Sequence, residues 1–363
     1  GSKIKVMLLL PLFLNENKSA KSDTSGTSSH NSIYAKSLNG LEFYEGVLLA
    51  VDSLSKAGVN ASIYTFDIPD DAALTRILAN PVLKKADIII GPFFGKRFEV
   101  VANFAKENKI VCVTPVLRKN DTADSNAYVS KVLPSDETQI KQMGDFIGRW
   151  NCKKNIIILH TAKPADSLLY DILVKGIKAR CDSAKLHIVN AKSRAAKLVD
   201  SLMVPGVENI VVSFSKDESY ISRLVLHLEK KNTKQRTITL FGLNDWQDFE
   251  NIEVEYFQNV NLHVPVDLFV DYDNADVKKF LNIYRKKYLA EPDKYSFLGY
   301  DVTMYYLQMI KKYGKEFYTN PAAIHASGLQ STFDFKKLSE QGGLENQSTF
   351  ILNYSDYRLV KVN

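Results

Sequence analysis

The sequence predicts an α/β protein with two lobes, each built around a parallel central sheet. Short β-branched runs alternate with longer stretches at helical spacing, which is the pattern of βαβ units. The strand candidates are solidly apolar and do not alternate with polar residues, as expected of a sheet covered on both faces. The pattern begins a second time after Asp136, and 363 residues exceed the ~100–200 residues usual for one domain.

Four strands and three intervening helices are predicted in the first lobe. The strand candidates are KIKVMLLLPL (3–12), ASIYTFD (61–67), ADIIIG (86–91) and KIVCVTP (109–115), and the helices are expected at 40–57, 70–80 and 95–107. Helical spacing in the first helix predicts one buried stripe. Its members are Leu41, Tyr44, Val47, Leu48, Val51 and Leu54. Gly58 is predicted to end that helix.

The second lobe repeats the alternation, and a different pattern follows it. The predicted elements are a helix at 136–150, NIIILH (155–160), a helix at 165–180, KLHIV (185–189), a helix at 194–203, NIVVSFS (209–215), a helix at 217–231 and RTITLFG (236–242). After Asp271, two long helical patterns lie on either side of Glu291-Pro292. The last part of the chain alternates apolar and polar residues about Gly342-Gly343, which predicts a closing β-hairpin.

One segment, Asn15 to Ser32, has no periodicity and is rich in Ser, Thr, Asn and Lys. It separates the first strand from its helix by about 25 residues, where about 2–6 are usual. It is either a disordered insertion or a functional lid, and its composition favours flexibility.

Composition and charge exclude several classes of protein. The net charge is +6, but the 47 Lys and Arg are interspersed with 41 Asp and Glu, which indicates a solvated surface and no nucleic-acid footprint. No apolar run approaches the ~20 residues that span a bilayer. Gly1-Ser2 is interpreted as the remnant of an expression tag, so the native N-terminus is expected to be missing, and any signal peptide, lipid anchor or upstream domain would be missing with it.

The three cysteines, Cys112, Cys152 and Cys181, fit neither a disulfide-dense scaffold nor a zinc site. Cys112 lies in the apolar run IVCVTPV and is predicted to be a buried hydrophobic residue. Cys152 and Cys181 each lie just before a predicted strand. Because neighbouring parallel strands bring their amino ends close together, a disulfide between these two residues is a hypothesis.

Motifs of nucleotide binding and catalysis are missing from the sequence. Neither G-x-G-x-x-G nor G-x-x-x-x-G-K-[ST] occurs, and in GPFFGKR the glycine spacing differs and Pro92 removes a backbone N–H. There is no G-x-S-x-G or H-E-x-x-H motif, and the six histidines are scattered singly. The sequence therefore offers no positive evidence for an enzyme, and no cofactor or metal site is predicted.

Three segments, in this order, carry a resemblance to a known family. They are ADIIIGPFFGKRFEVVANFAKENKIVCVTPV (86–116), LPSDETQIKQMGDFI (133–147) and SFLGYDVTMYYLQMI (296–310). Together they resemble the type I periplasmic solute-binding proteins, especially the branched-chain amino acid group, and the likeness covers nearly the whole chain.

The resemblance implies two Rossmann-like lobes joined by a three-segment hinge near 117–121, 262–267 and 327–333. The expected division is 3–118 plus 266–328 for lobe 1 and 119–263 plus 331–363 for lobe 2. The resemblance also implies that a ligand binds between the lobes, beside the carboxyl ends of the strands, and that the lobes close on it.

Carried over position by position, the resemblance implies a set of ligand-binding residues. They are Phe93, Phe94, Gly95, Thr114 and Pro115 in the first lobe, and His160, Thr161, Ser213, Phe214, Asn244, Asp245 and Trp246 in the second.

Several of these residues have two possible roles. Phe93 and Phe94 stand where amino acid receptors of the family place small hydroxyl residues, and they either line a pocket or pack within the lobe. Asp245 stands where an acidic residue would answer an α-ammonium group. Trp246 forms either an apolar or cation–π wall or simply an anchor.

The sequence therefore favours a non-catalytic, extracytoplasmic solute-binding module for a small polar ligand such as an amino acid. Its expected partners are membrane transporter subunits, and its expected location is periplasmic, with a lipid anchor upstream. The alternative is a cell-envelope interaction or scaffold module that has lost the small-molecule site, either peptidoglycan-associated or a regulator of cell-wall synthesis. Relatives of this fold regulate cell-wall synthases, and the altered Phe-Phe-Gly loop favours this alternative.

Overall fold

The computed structural model describes residues 3–19, 33–118, 121–150, 152–160, 164–190, 195–319 and 325–363. These residues form two compact units. Unit 1 comprises Gly1–Pro134 and Phe269–Ser348, and unit 2 comprises Ser135–Leu268 and Thr349–Asn363.

Strands and helices alternate through most of the chain, as predicted. The strands are β1 (Ile4–Leu10), β2 (Ala61–Asp67), β3 (Ile88–Ile90), β4 (Val111–Thr114), β5 (Val129–Lys131), β6 (Asn155–His160), β7 (Leu186–Asn190), β8 (Asn209–Ser213), β9 (Ile238–Phe241), β10 (His263–Val266), β11 (His325–Ser327), β12 (Thr332–Lys337), β13 (Leu344–Asn346), β14 (Phe350–Ser355) and β15 (Arg358–Lys361). The helices are α1 (Leu14–Ser19), α2 (Leu38–Lys56), α3 (Asp71–Leu78), α4 (Gly95–Asn108), α5 (Asp136–Trp150), α6 (Pro164–Arg180), α7 (Ala195–Leu202), α8 (Glu218–Lys231), α9 (Val254–Asn259), α10 (Ala275–Tyr288) and α11 (Lys294–Tyr313).

The sheet of unit 1 has the order β11-β12-β13-β5-β4-β3-β1-β2. Strands β1 to β5 are parallel to their neighbours, and β13 is parallel to β5. Helix α4 and the sheet bury a core that includes Met7, Leu9, Ile89, Phe98 and Cys112. The buried position of Cys112 confirms the prediction for that residue.

Helix α2 buries a different stripe from the predicted one. Phe43, Val47, Ala50 and Leu54 are buried together with Gly46. The rest of the predicted stripe, Leu41, Tyr44, Leu48 and Val51, is only partly buried. The reason is that α2 packs against α11 as well as the sheet, and the two backbones approach closely at glycines. A Cβ on Gly46 would strike the Ser296 carbonyl oxygen, and one on Gly299 would strike the Phe43 carbonyl oxygen.

The sheet of unit 2 has the order β15-β14-β10-β9-β8-β6-β7, in which β6 to β10 are parallel and β14 is antiparallel to β10. Strand β6 pairs with β7, which places Ile156 opposite Leu186. The predicted disulfide joins Cys152 to Cys181 at the amino ends of these two strands, with Cα atoms 5.7 Å apart. The strand-neighbour argument is confirmed.

The unit boundaries differ from the division inferred from the resemblance. The chain passes between units at 134/135, 268/269 and 348/349, whereas the expected lobe 1 ended at 118 and at 328. Three strands account for the difference. Strand β5 pairs with β4, β13 pairs with β5 and β12 pairs with β13, so all three belong to the sheet of unit 1. VSK is not an apolar run and gave no strand signal, and the pattern of the closing hairpin did not indicate which sheet β12 and β13 join.

The single closing hairpin predicted for the end of the chain is two hairpins. Strands β12 and β13 are antiparallel about Gly342-Gly343, as predicted. Strands β14 and β15 form a second antiparallel pair, which belongs to the other sheet. The predicted insertion at 15–32 also begins with structure, because residues 15–19 belong to α1. Its remainder, 20–32, lies outside the described residues.

A buried carboxylate fixes the segment before β12. Asp301 of α11 is 1% exposed, and it accepts hydrogen bonds from the backbone N–H groups of Leu329 (2.7 Å), Gln330 (2.9 Å) and Ser331 (3.0 Å). Burial raises the pKa of Asp301 to about 6, and the three N–H groups oppose that rise. Asp301 therefore ties α11 to the segment that leads into β12.

Candidate functional site

The carboxyl ends of parallel strands are the edge at which open α/β sheets place their ligands, so the loops at this edge are described for each unit. In unit 1, Asp67 at the end of β2 organises the loop after β1. Its carboxylate accepts hydrogen bonds from the N–H groups of Leu12 (2.9 Å), Phe13 (2.9 Å) and Leu14 (2.8 Å). The ring of Phe13 packs edge-on against Tyr34 at 5.3 Å. The loop is therefore held by fixed contacts and carries two aromatic rings.

The Gly-Pro-Phe-Phe loop follows β3. Gly91 has φ +91°, and a Cβ there would strike the Leu9 carbonyl oxygen, so this turn requires glycine. Phe93 is 7% exposed, and its ring packs on Phe43 at 5.2 Å and on Tyr295 at 6.0 Å. Of its two possible roles, Phe93 takes the packing role in this structure.

Phe94 and Gly95 differ from Phe93, because they face solvent. The ring of Phe94 is 47% exposed, and the guanidinium carbon of Arg97 lies 5.3 Å from its centroid. Arg97 is held in turn by Asp71, with Nε 2.6 Å from the carboxylate Oδ1. A Cβ on Gly95 would meet nothing within 4 Å, so packing does not require glycine at that position. This part of the loop offers an apolar surface beside a fixed cation.

Thr114 and Pro115, after β4, are buried. The Thr114 hydroxyl accepts a hydrogen bond from the N–H of Leu117 at 3.3 Å, which closes the turn after the strand. The hydroxyl that the resemblance assigned to a ligand is therefore used within unit 1.

Two charged pairs in unit 1 have no counterpart in the sequence analysis. On β5, Lys131 lies 3.3 Å from Glu345 of β13, and both side chains are 4% exposed. Lys131 also donates to the carbonyl oxygen of Arg118. This buried ion pair holds the carboxyl end of β5. The partners are far apart in sequence and lack a motif, so only the folded chain reveals the pair.

The second pair is Glu42 with Asp293, two neighbouring carboxyl groups of which Asp293 disfavours the charged form of Glu42. Burial, and then the Asp293 carboxylate, raise the pKa of Glu42 to about 7. Asp293 also caps α11 by accepting the N–H of Tyr295 at 2.7 Å. The pair lies beside the Gly-Pro-Phe-Phe loop, because Phe43 and Tyr295 are the residues on which Phe93 packs.

In unit 2, Tyr170 of α6 joins the carboxyl ends of β6 and β8. Its hydroxyl donates to the Leu159 carbonyl oxygen and accepts the N–H of Phe214 at 3.0 Å, and its ring stacks on Phe214 at 4.8 Å. The centroid of the His160 ring lies 5.0 Å from that of Tyr170. The Nε2 atom of His160 lies 3.3 Å from the hydroxyl oxygen of Ser167. Two predicted site residues, His160 and Phe214, are thus brought together by one that the sequence did not single out. Thr161 lies outside the described residues.

Tyr220 is a further residue at this edge that sequence reasoning missed. Its hydroxyl is buried beside the Ser213 hydroxyl and makes no hydrogen bond of regular geometry to the residues that the structure describes. Burial raises the pKa of Tyr220 to about 12, and the side-chain interaction with Ser213 opposes that rise. The backbone of Tyr220 is fixed by Asp217, which caps α8 and accepts its N–H at 3.0 Å. A buried hydroxyl whose one polar neighbour is poorly placed is a group that a ligand could satisfy.

The loop after β9 carries Asn244, Asp245 and Trp246. Trp246 is fully buried, and its indole N–H donates to the Ser215 carbonyl oxygen at 2.8 Å. It therefore anchors the loop, and its ring is not exposed to a ligand. Asp245 is exposed and lies 2.9 Å from the Nζ of Lys216. Asn244 accepts a hydrogen bond from its neighbour Gln247. To bind a cationic group of a ligand, the Asp245 carboxylate would have to give up its ion pair with Lys216.

The arrangement suits binding by surface contact and hydrogen bonds. Unit 1 offers aromatic rings at its strand-end loops, and unit 2 offers an imidazole and hydroxyl groups. Within the described part of the chain, no group of three or more His, Cys, Asp or Glu side chains could hold a metal ion. No helix in that same part is long and apolar enough to cross a bilayer.

Comparisons with known proteins give a family and a fold. A family profile described as periplasmic binding protein matches residues 32–334. The search of curated proteins found no significant match.

Three solved structures illustrate the fold. An ABC transporter substrate-binding protein from Desulfitobacterium hafniense, in complex with Leu, has 13% identity and a TM-score of 0.58, covering 99% of this chain and all of that one. A branched-chain amino acid ABC transporter periplasmic ligand-binding protein from Burkholderia xenovorans has 14% identity and a TM-score of 0.61, covering 99% and 95%. Full-length LpoA from Haemophilus influenzae has 12% identity and a TM-score of 0.59, covering 99% of this chain and 59% of that one. At these identities the likeness is one of fold.

Proposed function

The chain belongs to the periplasmic binding protein family, and we propose that it is a non-catalytic solute-binding module that closes its two lobes on a small polar ligand. Its two α/β units have the type I fold of that family. The observation that carries the proposal is the family match over 32–334, which spans the strand-end loops of both units. The family is extracytoplasmic, and the disulfide between Cys152 and Cys181 is of the kind that persists in such compartments.

The loops narrow the class of ligand. Phe94 exposes nearly half of its ring at the edge of unit 1, and the Thr114 hydroxyl is turned inward. In unit 2, the imidazole of His160 and the buried hydroxyl of Tyr220 can exchange hydrogen bonds with a polar group. We propose a compact ligand, such as an amino acid, that has an apolar part and a polar group.

A thermal-shift screen tests this function. A ligand at 100 times its Kd adds about 2.7 kcal/mol to the free energy of unfolding, which moves the unfolding temperature by several degrees. The panel contains amino acids, sugars and peptidoglycan fragments. For a ligand that stabilises the protein, Phe94→Ser and Tyr220→Phe should each raise Kd several-fold. Val100→Ser, at a solvent-exposed apolar residue of α4, the helix that begins just after Phe94, should leave Kd unchanged. Absence of stabilisation by every compound would contradict the proposal.

A second candidate is a cell-envelope interaction module without a small-molecule site. The buried Thr114 and the exposed Phe94 favour it, because the loop after β3 carries Phe93 and Phe94 where an amino acid receptor of the family is expected to carry small hydroxyl residues. Its partners would be cell-wall components or the enzymes that build them. Affinity capture from envelope extracts separates the two proposals, since recovery of transporter subunits alone would contradict the interaction module. Membrane attachment through a lipid anchor upstream stays a proposal in both cases.

A further inference from the structure

Unit 1 contains a cavity of about 550 Å³ that is distinct from its strand-end loops. It lies among the second half of α2, helices α10 and α11, and the segment 326–329. Helix α2 begins after the carboxyl end of β1 and ends shortly before β2, which is parallel to β1. Its last turns therefore lie toward the amino ends of the strands, away from the loops that carry Phe94 and Thr114.

Apolar side chains form the accessible wall of this cavity, namely Ile283, Tyr300 and Met304, and the rings of Phe280, Tyr305 and Phe333 lie behind them at no more than 4% exposure. Phe280 meets Tyr300 edge-on at 5.0 Å, and Tyr305 stacks on Phe333 at 4.4 Å. Met304 of α11 adds an adaptable, half-buried apolar surface. The volume falls within the ~300–1,000 Å³ of small-molecule sites, and such sites are mostly apolar with a few polar groups.

The charged groups of the cavity are unequally paired. The Nζ of Lys287 lies 2.9 Å from the carboxylate of Asp52, so these two side chains form an ion pair. Lys56 and Lys279 also line the cavity, and neither has an ion pair or side-chain hydrogen bond within the described ranges. Asp276 is the opposing carboxylate at the rim, and the carboxylate of Asp301 is already satisfied by three backbone N–H groups. Two free ammonium groups against one free carboxylate favour an anion.

We propose that this cavity is a second ligand site, for a small organic anion with a flat apolar body. The apolar wall of Ile283, Tyr300 and Met304 takes the body, and Lys56 and Lys279 take the anionic group. The site is separate from solute binding at the strand-end loops and does not depend on it. The segment that Asp301 fixes forms one wall of the cavity. It is hydrogen-bonded to Phe269, the first residue after the unit boundary at 268/269, whose N–H donates to the Gln330 carbonyl oxygen at 3.0 Å.

The probe for the test is 8-anilinonaphthalene-1-sulfonate, which joins flat rings to one sulfonate and fluoresces when its rings leave water. We expect saturable binding to the native protein. Lys279→Glu should raise Kd about tenfold, which corresponds to about 1.4 kcal/mol. Lys278→Glu is the matched control, because Lys278 is the preceding residue of the same helix, is solvent-exposed and does not line the cavity. It should change Kd less than about twofold.

A second variant, Met304→Trp, tests occupancy of the cavity by filling it, and should abolish saturable binding without lowering the unfolding temperature by more than a few degrees. Three results would overturn the proposal. The first is no saturable binding to the native protein. The second is an equal effect of Lys279→Glu and Lys278→Glu, which would indicate general surface charge. The third is loss of binding in Phe94→Ser with unchanged binding in Lys279→Glu, which would place the probe at the strand-end loops.

Discussion

Removal of the disulfide between Cys152 and Cys181 should lower the stability of unit 2 by an amount that the chain length sets. The two cysteines are 29 residues apart. In the chain-entropy description, a cross-link closing a loop of that size removes enough freedom from the unfolded chain to stabilise the fold by about 3.6 kcal/mol at 25 °C. The double variant C152S/C181S should lose about that much free energy of unfolding.

The tryptophans allow the measurement to be confined to unit 2. Both of them, Trp150 and Trp246, belong to that unit. Trp246 is fully buried in the folded protein and becomes hydrated on unfolding, so urea titration followed by tryptophan fluorescence reports this unit. The change in the urea midpoint, multiplied by the slope of the transition, gives the free-energy difference.

Reduction supplies the control. Dithiothreitol should destabilise the native protein to the level of C152S/C181S and should leave the double variant unchanged, because the remaining cysteine, Cys112, is a free thiol in unit 1. A loss below about 1 kcal/mol on reduction would refute the loop-closure reasoning. So would a double variant that still responds to the reductant.

Two further predictions concern carboxyl groups of unit 1. The pKa of Glu42 in the folded state is about 7, above its usual 4.5, so the folded state holds the proton more tightly and the free energy of unfolding falls as pH rises between those values. Glu42→Gln should remove that fall and, allowing for partial exposure, be more stable than the native protein by on the order of 1 kcal/mol at pH 8; equal pH profiles in urea titrations would contradict this. Asp301→Ala leaves three buried N–H groups without an acceptor and should cost at least about 2 kcal/mol, with faster amide hydrogen exchange at 329–331. Asp271→Ala, at an exposed carboxylate that accepts one N–H, is its control, and equal effects would show that burial does not matter.

The ligand-binding role of the strand-end residues stays a prediction. Those that the structure describes lie at the carboxyl ends of β3, β4, β6, β8 and β9. Of the four Phe and Trp residues among them, Phe93, Phe214 and Trp246 are buried within their units, and Phe94 is exposed. An aromatic residue on a loop can point either way, and the direction depends on the partners that the fold supplies.

The residues that sequence reasoning missed share a physical reason. Tyr170 and Tyr220 are ordinary members of amphipathic helices until the fold brings them to the ends of β6 and β8. Glu42 and Asp293 are far apart in the sequence, and the pKa of Glu42 is raised only because the fold buries it and places the Asp293 carboxylate beside it.

The sequence by itself determined the α/β class, the strands and helices with long apolar or periodic patterns, and the disulfide, because these depend on local periodicity and on the order of neighbouring strands. Only the tertiary structure decided the membership of β5 and β13 in the sheet of unit 1, the buried stripe of α2 and the pairing of Lys131 with Glu345. Short strands of mixed polarity, backbone contacts through Gly46 and Gly299, and ion pairs between distant strands have no local signature. Their energy comes from neighbours that are brought together only when the chain folds.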